Sequence, residues 1–128
     1  RRASSPPKRS YKSLMKKGET LLIKGSVTQA RRVFKEAGQL KPGAPAPIAQ
    51  LGWCELAQNR LGSAIRYFQL ALKKSSVHGD SLYGLGYAYE RQNSWSQARA
   101  FFEKYLQRYP SGSKVRIIQN KLKKMPQN

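Results

Sequence analysis

The clearest structural signal in the chain lies in residues 82–110, which read LYGLGYAYERQNSWSQARAFFEKYLQRYP. Three residues of this stretch recur at a spacing of 34 residues: Gly86, Ala98 and Phe102 correspond to Gly52, Ala64 and Phe68 and to Gly18, Ala30 and Phe34. We call each set of residues 34 positions apart a column. Glycine makes up only roughly 7% of residues on average, so three columns of identical residues exclude coincidence. The sequence therefore predicts three repeats, 11–44, 45–78 and 79–112.

Each repeat is predicted to form two helices joined by a short turn. Gly25, Asn59 and Asn93 stand between the two halves, and these residue types tolerate the left-handed backbone conformation that ends helices. A glycine inside the first helix costs roughly 1 kcal/mol of helix propensity, which is tolerated only where packing requires it. This glycine and the alanine of the second helix have little or no side chain, so the two helices of a repeat can approach closely. The phenylalanine fills the space between repeats. The predicted fold class is all-α.

A further helix is expected after the third repeat, over residues 113–125. One apolar stripe at helical spacing is formed by Val115, Ile118, Leu122 and Met125. Repeat arrays need a terminal helix with a polar outer face, because their last unit otherwise exposes an apolar flank. This segment is therefore predicted to cap the array, with Pro126 marking its end and 126–128 forming a short tail.

Positive charge dominates the chain and is concentrated at its ends. The 128 residues include 25 Lys and Arg against 6 Asp and Glu, a net charge of +19. Residues 1–10 hold four basic groups and residues 113–128 hold five, with no acid in either segment. Because residues 1–10 also lack apolar periodicity and contain a proline pair, they are predicted to be a disordered basic tail or linker.

An enzyme is not expected from this composition. The single cysteine, Cys54, excludes an internal disulfide and a cysteine-based metal site, and the single histidine, His78, is predicted to lie in a loop. Without a third group to orient them, these two residues do not make a nucleophilic site. No apolar run exceeds three residues, so no transmembrane segment is predicted. The lone thiol favours a reduced, cytoplasmic setting, with a processed exported protein as the alternative, and no cofactor or metal is expected.

The 34-residue register resembles the tetratricopeptide repeat (TPR) family, whose signature places a large residue, Leu-Gly, an aromatic, Ala, Phe, Ala and Pro at fixed offsets. The third repeat matches best, through Leu82, Leu85, Gly86, Tyr89, Ala98, Phe102 and Pro110. The second repeat departs at Glu55 and Ser76, and the first at Lys17 and Leu21. The resemblance covers residues 11–112. It implies a right-handed superhelical array, an α-solenoid, in which the first helix of every repeat lines a concave groove.

The resemblance also implies a protein–protein interaction scaffold or adaptor that docks a partner segment in this groove. The residues that register assigns to the groove are Met15, Glu19, Ala49, Trp53, Tyr83, Tyr87 and Arg91. Aromatic side chains beside small ones form a pocket for an apolar anchor, and Trp and Tyr are frequent at binding hot spots. The alternative interpretation is that Trp53, Tyr83 and Tyr87 simply pack on neighbouring helices as core.

Family members that grip the acidic C-terminal tails of heat-shock chaperones use a clamp of lysine, asparagine and arginine on this wall. The matching columns here hold Met15, Glu19, Gln50, Asp80 and Gly84. Lys12 and Lys16 lie nearby but do not complete the set. The sequence therefore predicts no chaperone-tail binding of that kind, and it favours a helix or an extended segment with apolar anchors as the ligand.

A second hypothesis rests on a basic patch made of Arg31, Arg32, Lys35, Lys121, Lys123 and Lys124. Such a patch would bind an acidic protein, an anionic membrane surface or nucleic acid, unless these side chains are only solvated. Nucleic acid is the less favoured partner, because the aromatic and basic residues fall mostly in different places. In the first hypothesis the basic termini steer acidic partners towards the groove. A third alternative is that another part of the parent chain fills the groove.

Overall fold

The computed structural model describes residues 9–127, and in this range the chain forms seven α-helices. Their bounds are α1 Tyr11–Ile23, α2 Val27–Leu40, α3 Pro45–Ala57, α4 Leu61–Lys74, α5 Gly79–Arg91, α6 Trp95–Arg108 and α7 Val115–Lys124. The first six pack as three hairpins, one for each predicted repeat, and α7 packs on α6. The all-α class and the organisation into three repeats and a terminal helix are confirmed.

The array begins at a capped helix start. The Ser10 hydroxyl accepts a hydrogen bond from the backbone N–H of Ser13 at 3.0 Å, and the Ser13 hydroxyl accepts one from the N–H of Ser10 at 3.1 Å. This capping box satisfies two backbone donors that the helix itself leaves unpaired. Arg9 pairs with Glu36 of α2 at 3.0 Å. The last two residues of the predicted tail thus contact the folded domain, and residues 1–8 lie outside the described range.

The turn between the two helices of each repeat has the predicted backbone conformation. Gly25 has a φ of +86°, and Asn59 and Asn93 each have a φ of +60°. In this left-handed region the chain reverses directly after the first helix, and glycine and asparagine adopt it at the lowest cost. The turn residues that the sequence singled out are therefore confirmed in all three repeats.

Phenylalanine rings fill the space that the helical glycines leave. The largest fully buried side chains are Phe34, Phe68 and Phe102. A Cβ atom added at Gly18 or Gly86 would lie 2.4 Å from the ring of its own repeat's phenylalanine. Phe68 is enclosed from two sides, by Gly52 of its own repeat and by Gly84 of the next. The glycines therefore make room for rings that pack both within a repeat and between repeats.

Glu55 stands where the family signature has an aromatic residue, and its carboxylate is buried. Arg31 of α2 donates to it at 2.6 Å and to the Gln58 side-chain oxygen at 2.7 Å, while Arg60 lies 3.7 Å away. Burial alone raises the pKa of Glu55. Hydrogen bonds from Arg31 and Ser63 and the charges of both arginines outweigh burial, so the pKa lies below its ordinary value. An ion pair thus joins the first repeat to the second.

Candidate functional site: a concave aromatic groove

The first helices of the repeats, α1, α3 and α5, contact one another in order and form the inner wall of the array. A groove of about 450 Å³ opens in this wall, within the range of roughly 300–1,000 Å³ that is usual for ligand sites. Its lining residues are Leu22, Trp53, Leu56, Ala57, Tyr83, Tyr87 and Arg91. The structure thus brings together Trp53, Tyr83, Tyr87 and Arg91 from the predicted set, and it adds the exposed Ala57.

The aromatic rings of the groove are held in place by their neighbours. Trp53 Nε1 donates a hydrogen bond to Asp80 Oδ2 at 2.9 Å, and its ring meets Phe68 edge-on with the ring centroids 5.2 Å apart. Tyr83 and Tyr87 stack with their centroids 6.3 Å apart, and each lies 5.9 Å from the Trp53 ring. These rings contact one another and therefore form one continuous surface whose shape is set before a ligand binds.

Cations from the end of the chain lie over these tyrosines. Lys114 Nζ is 5.0 Å from the centre of the Tyr83 ring, and Lys121 Nζ is 5.0 Å from that of Tyr87. The Arg91 guanidinium lies 5.9 Å from the Tyr87 ring. The expectation that aromatic and basic residues are separate is therefore wrong at this site. Cation–π attraction of this kind contributes roughly 0.5–1 kcal/mol per pair at exposed positions.

The 34-residue spacing could have placed two of these cations beside the groove, but the sequence prediction did not use it for them. Lys114 and Lys121 stand 34 residues after Asp80 and Tyr87, so α7 follows the pattern of a first helix in a further repeat. A helix that only caps the array presents its polar face to solvent. Lys121 instead pairs with Glu90 of α5 at 2.8 Å.

The Tyr83 hydroxyl remains a neutral donor at physiological pH. Burial raises the pKa of Tyr83 above its ordinary value, and the nearby Tyr87, Glu90 and Asp80 raise it further. Tyr83 is only 8% exposed, whereas Tyr87 is half-buried. Tyr87 therefore presents more of its ring to a ligand.

The remaining predicted groove residues lie elsewhere. Met15 is 9% exposed and Ala49 is fully buried, and both pack in the hydrophobic core. Glu19 is exposed on α1 and accepts a weak hydrogen bond from the Gln50 side chain at 3.4 Å. None of these three residues lines the groove, and the two apolar side chains are buried in the core.

The predicted basic patch does not form one surface. Arg31 is engaged by Glu55, and Lys121 by Glu90. Four further members remain exposed on two helices that do not contact each other in the described range: Arg32 and Lys35 on α2, and Lys123 and Lys124 on α7. The patch therefore consists of two separate basic areas at opposite ends of the array, because α2 and α7 belong to its first and last units.

Neither Cys54 nor His78 shows the surroundings of a catalytic group. Cys54 is fully buried, and burial raises the pKa of its thiol to about 11, with Arg31 lowering it and Glu55 raising it. The thiol is protonated at neutral pH and is a poor nucleophile. His78 Nδ1 lies 2.7 Å from the Ser81 hydroxyl, and burial lowers its pKa although Asp80 opposes this.

The described residues hold neither a metal-binding cluster nor a membrane-spanning helix. No group of three or more histidine, cysteine, aspartate or glutamate side chains stands close enough to hold a metal ion within residues 9–127. In the same range no helix is both long and apolar enough to cross a membrane.

The family model of the tetratricopeptide repeat matches residues 50–113, half of the chain. The chain belongs to this family, whose domains are protein–protein interaction modules and typically non-enzymatic scaffolds. It is similar to cellulose synthase operon protein C of Xanthomonas axonopodis pv. citri (strain 306), with 29% identity over 112 residues. That match covers 86% of this chain and 7% of the relative, so the chain corresponds to a small part of that protein.

Solved TPR domains share the architecture of the whole array. The first TPR of Spaghetti (RPAP3), bound to HSP90 peptide SRMEEVD, superimposes with a TM-score of 0.82 at 16% identity, covering 91% of this chain and 92% of that one. The Arabidopsis OM64 TPR domain gives a TM-score of 0.78 at 16% identity, covering 90% and 95%. At this identity the likeness shows the fold, and it confirms the predicted α-solenoid.

Proposed function

We propose that this domain is a scaffold or adaptor module that docks a segment of a partner protein in its concave groove. The observation that supports this most directly is the aromatic wall of Trp53, Tyr83 and Tyr87, which is held rigid by its neighbours yet opens into a groove of about 450 Å³. Rigid aromatic surfaces lose little conformational entropy on binding, which is why tryptophan and tyrosine dominate interface hot spots.

The chemistry of the groove describes the segment that fits it. Leu22, Leu56 and Trp53 offer apolar contact to a bulky side chain, whereas Arg91 and Lys114 provide positive charge over the tyrosine rings. A partner segment with an apolar anchor followed by a carboxylate complements both features. The strongly basic chain, with its net charge of +19, would also accelerate encounter with an acidic partner.

Binding of polyanions through the basic patch is less well supported. Two of the six patch residues are engaged in ion pairs, and the rest are divided between two ends of the array. Dispersed surface lysines and arginines give salt-sensitive attraction without a defined binding site.

The proposal is tested by closing the groove without changing its charge. Ala57→Gln adds an uncharged side chain to an exposed position of the groove wall, and Ala100→Gln makes the same change on the exposed surface of α6. Each variant and the wild type are used to capture partners from nuclease-treated extract at low and high salt. Mass spectrometry identifies the retained proteins, and titration calorimetry then measures their affinity for the purified domain.

We expect a partner that persists at high salt, and about tenfold weaker binding for Ala57→Gln with unchanged binding for Ala100→Gln. Arg91→Ala should weaken binding further for an acidic segment. If the retained molecules wash off with salt and bind both glutamine variants equally, the basic surface is responsible and the groove proposal fails.

A further inference from the structure

A second groove lies on the side of the second helices and shares no residue with the concave groove. It opens between α2, the loop that follows it, and the two helices of the second repeat. Its volume is about 680 Å³, compared with about 450 Å³ for the concave groove. We name it the outer groove.

The outer groove exists because one large side chain is missing. Gly38 stands in the column that holds Leu72 in the second repeat and Leu106 in the third. Leu72 packs against the cores of both the second and the third repeat. A Cβ added at Gly38 would meet only the Pro47 Cβ, at 3.6 Å, so the space is open. The corresponding groove one repeat later has a volume of about 300 Å³.

The floor of the outer groove is apolar and its rim is positively charged. Ile48, Leu51 and Leu70 lie along the floor, and Leu70 is 44% exposed. Three exposed lysines line the groove, Lys35, Lys41 and Lys74, and no acidic side chain does. None of these lysines forms an ion pair within residues 9–127.

We propose that the outer groove is a second docking site, for a partner-protein segment that carries a bulky apolar residue flanked by aspartates or glutamates. The apolar side chain fills the space that Gly38 leaves above Ile48 and Leu70, and the flanking carboxylates reach the lysine rim. Burial of apolar area supplies most of the affinity, whereas the charges set orientation and encounter rate. The site is independent of the concave groove and of the function proposed for it.

The difference between the outer groove and its smaller counterpart favours this ligand over a general polyanion. In the counterpart, Lys104 replaces Leu70 and its Nζ lies 4.9 Å from the centre of the Phe101 ring. The counterpart thus has a basic side chain where the outer groove has an apolar one. The counterpart also contains an exposed apolar side chain, Val77 at 41%, so the outer groove is distinguished as a site for an apolar anchor by its larger volume together with the apolar residue at position 70.

The test uses a fluorescently labelled synthetic peptide in which glutamates and aspartates surround a central leucine–phenylalanine pair. Its affinity for the full chain is measured by fluorescence anisotropy. Gly38→Leu, which restores the side chain found in the other repeats, should weaken binding about tenfold or more. The matched control is Gly62→Leu, because Gly62 is also helical and an added Cβ there meets nothing closer than Arg66 Nη1 at 4.0 Å. The control should bind as the wild type does.

A second variant separates apolar docking from charge attraction. Leu70→Lys copies Lys104 at an exposed position and therefore leaves the core intact. It adds positive charge, so polyanion attraction predicts tighter binding, whereas our proposal predicts weaker binding. Tighter binding to Leu70→Lys, unchanged binding to Gly38→Leu, or equal binding of a peptide with serines in place of the central pair would each overturn the proposal. Loss of binding in Ala57→Gln would overturn it as well, because the peptide would then occupy the concave groove.

Discussion

Two adjacent columns of the first helices differ in how strictly packing restricts the residues they can hold. One column holds Gly18, Gly52 and Gly86, and each packs on the phenylalanine of its own repeat. The next column holds Glu19, Trp53 and Tyr87, and α7 continues it with Lys121. The glycine column faces a filled core, where a single added carbon clashes, whereas its neighbour faces the concave groove. Identity is therefore enforced by packing in the first column, and variation in the second gives each part of the wall its own chemistry.

The largest expected effect comes from removing a core side chain that packs on the glycine column. Phe68→Ala removes a ring that is fully buried between Gly52 and Gly84. We expect the free energy of unfolding to fall by about 3–5 kcal/mol, because the lost ring leaves a cavity at the junction of two repeats. Urea denaturation followed by circular dichroism measures this change. Phe68→Leu, which retains most of the volume, should cost clearly less; equal losses would contradict the packing argument.

A smaller loss of stability is expected when a side chain is added in the glycine column. Gly86→Ala places a Cβ 2.4 Å from the Phe102 ring, and we expect it to reduce the free energy of unfolding by about 1–3 kcal/mol. Gly62→Ala is the matched change at an exposed helical position, where no steric conflict arises. It should stabilise the protein by less than about 0.5 kcal/mol, because Gly62 is the second residue of α4 and the full helix-propensity difference applies to helix interiors. Thermal unfolding of both variants tests whether the opposite signs appear.

The ion pair between Glu55 and Arg31 should make stability depend on acid pH. Because the pKa of Glu55 is lower in the folded state than its ordinary value of 4.5, the unfolded chain takes up this proton first as pH falls. The stabilisation is fully present above about pH 4.5 and is lost as pH decreases through the folded-state value.

Glu55→Gln removes this titration while keeping the shape of the side chain. We expect the variant to lose about 1–2 kcal/mol at pH 7, since it gives up a charge-assisted hydrogen bond. Its stability should then fall less steeply than that of the wild type between pH 5 and pH 3. Urea unfolding across this range measures both slopes, and parallel slopes would show that other carboxylates cause the acid sensitivity.

The smallest effect is expected for a substitution in the column that faces the concave groove. Glu19→Ala alters an exposed residue whose one side-chain hydrogen bond, from Gln50, is 3.4 Å long. The free energy of unfolding should change by no more than about 0.5 kcal/mol, as is usual for surface substitutions. A loss comparable with that of Gly86→Ala would show that the two columns are not separated as described.

Trp53, Tyr83 and Tyr87 show how far the register could locate the groove. Their columns were known from the spacing alone, and the structure places all three on one wall. Met15 and Ala49 stand in the same column as Tyr83 and all three are buried, yet of these only Tyr83 lines the groove. Spacing gives the direction of a side chain from its helix axis, but accessibility depends on the residues that pack over it.

The sequence by itself determined the number of repeats, the turns at Gly25, Asn59 and Asn93 and the class of the fold. These features depend on local backbone preferences and on columns that recur at fixed spacing, so they can be read without coordinates. Only the tertiary structure decided that Arg31 and Lys121 are held in ion pairs, that Lys114 lies over Tyr83, and that the missing side chain at Gly38 opens a groove. The ion pairs and the Lys114–Tyr83 contact join residues of different helices that are far apart in sequence, and the groove at Gly38 is closed on its far side by Leu70 of α4. Only helix packing brings such residues within a few ångströms of one another.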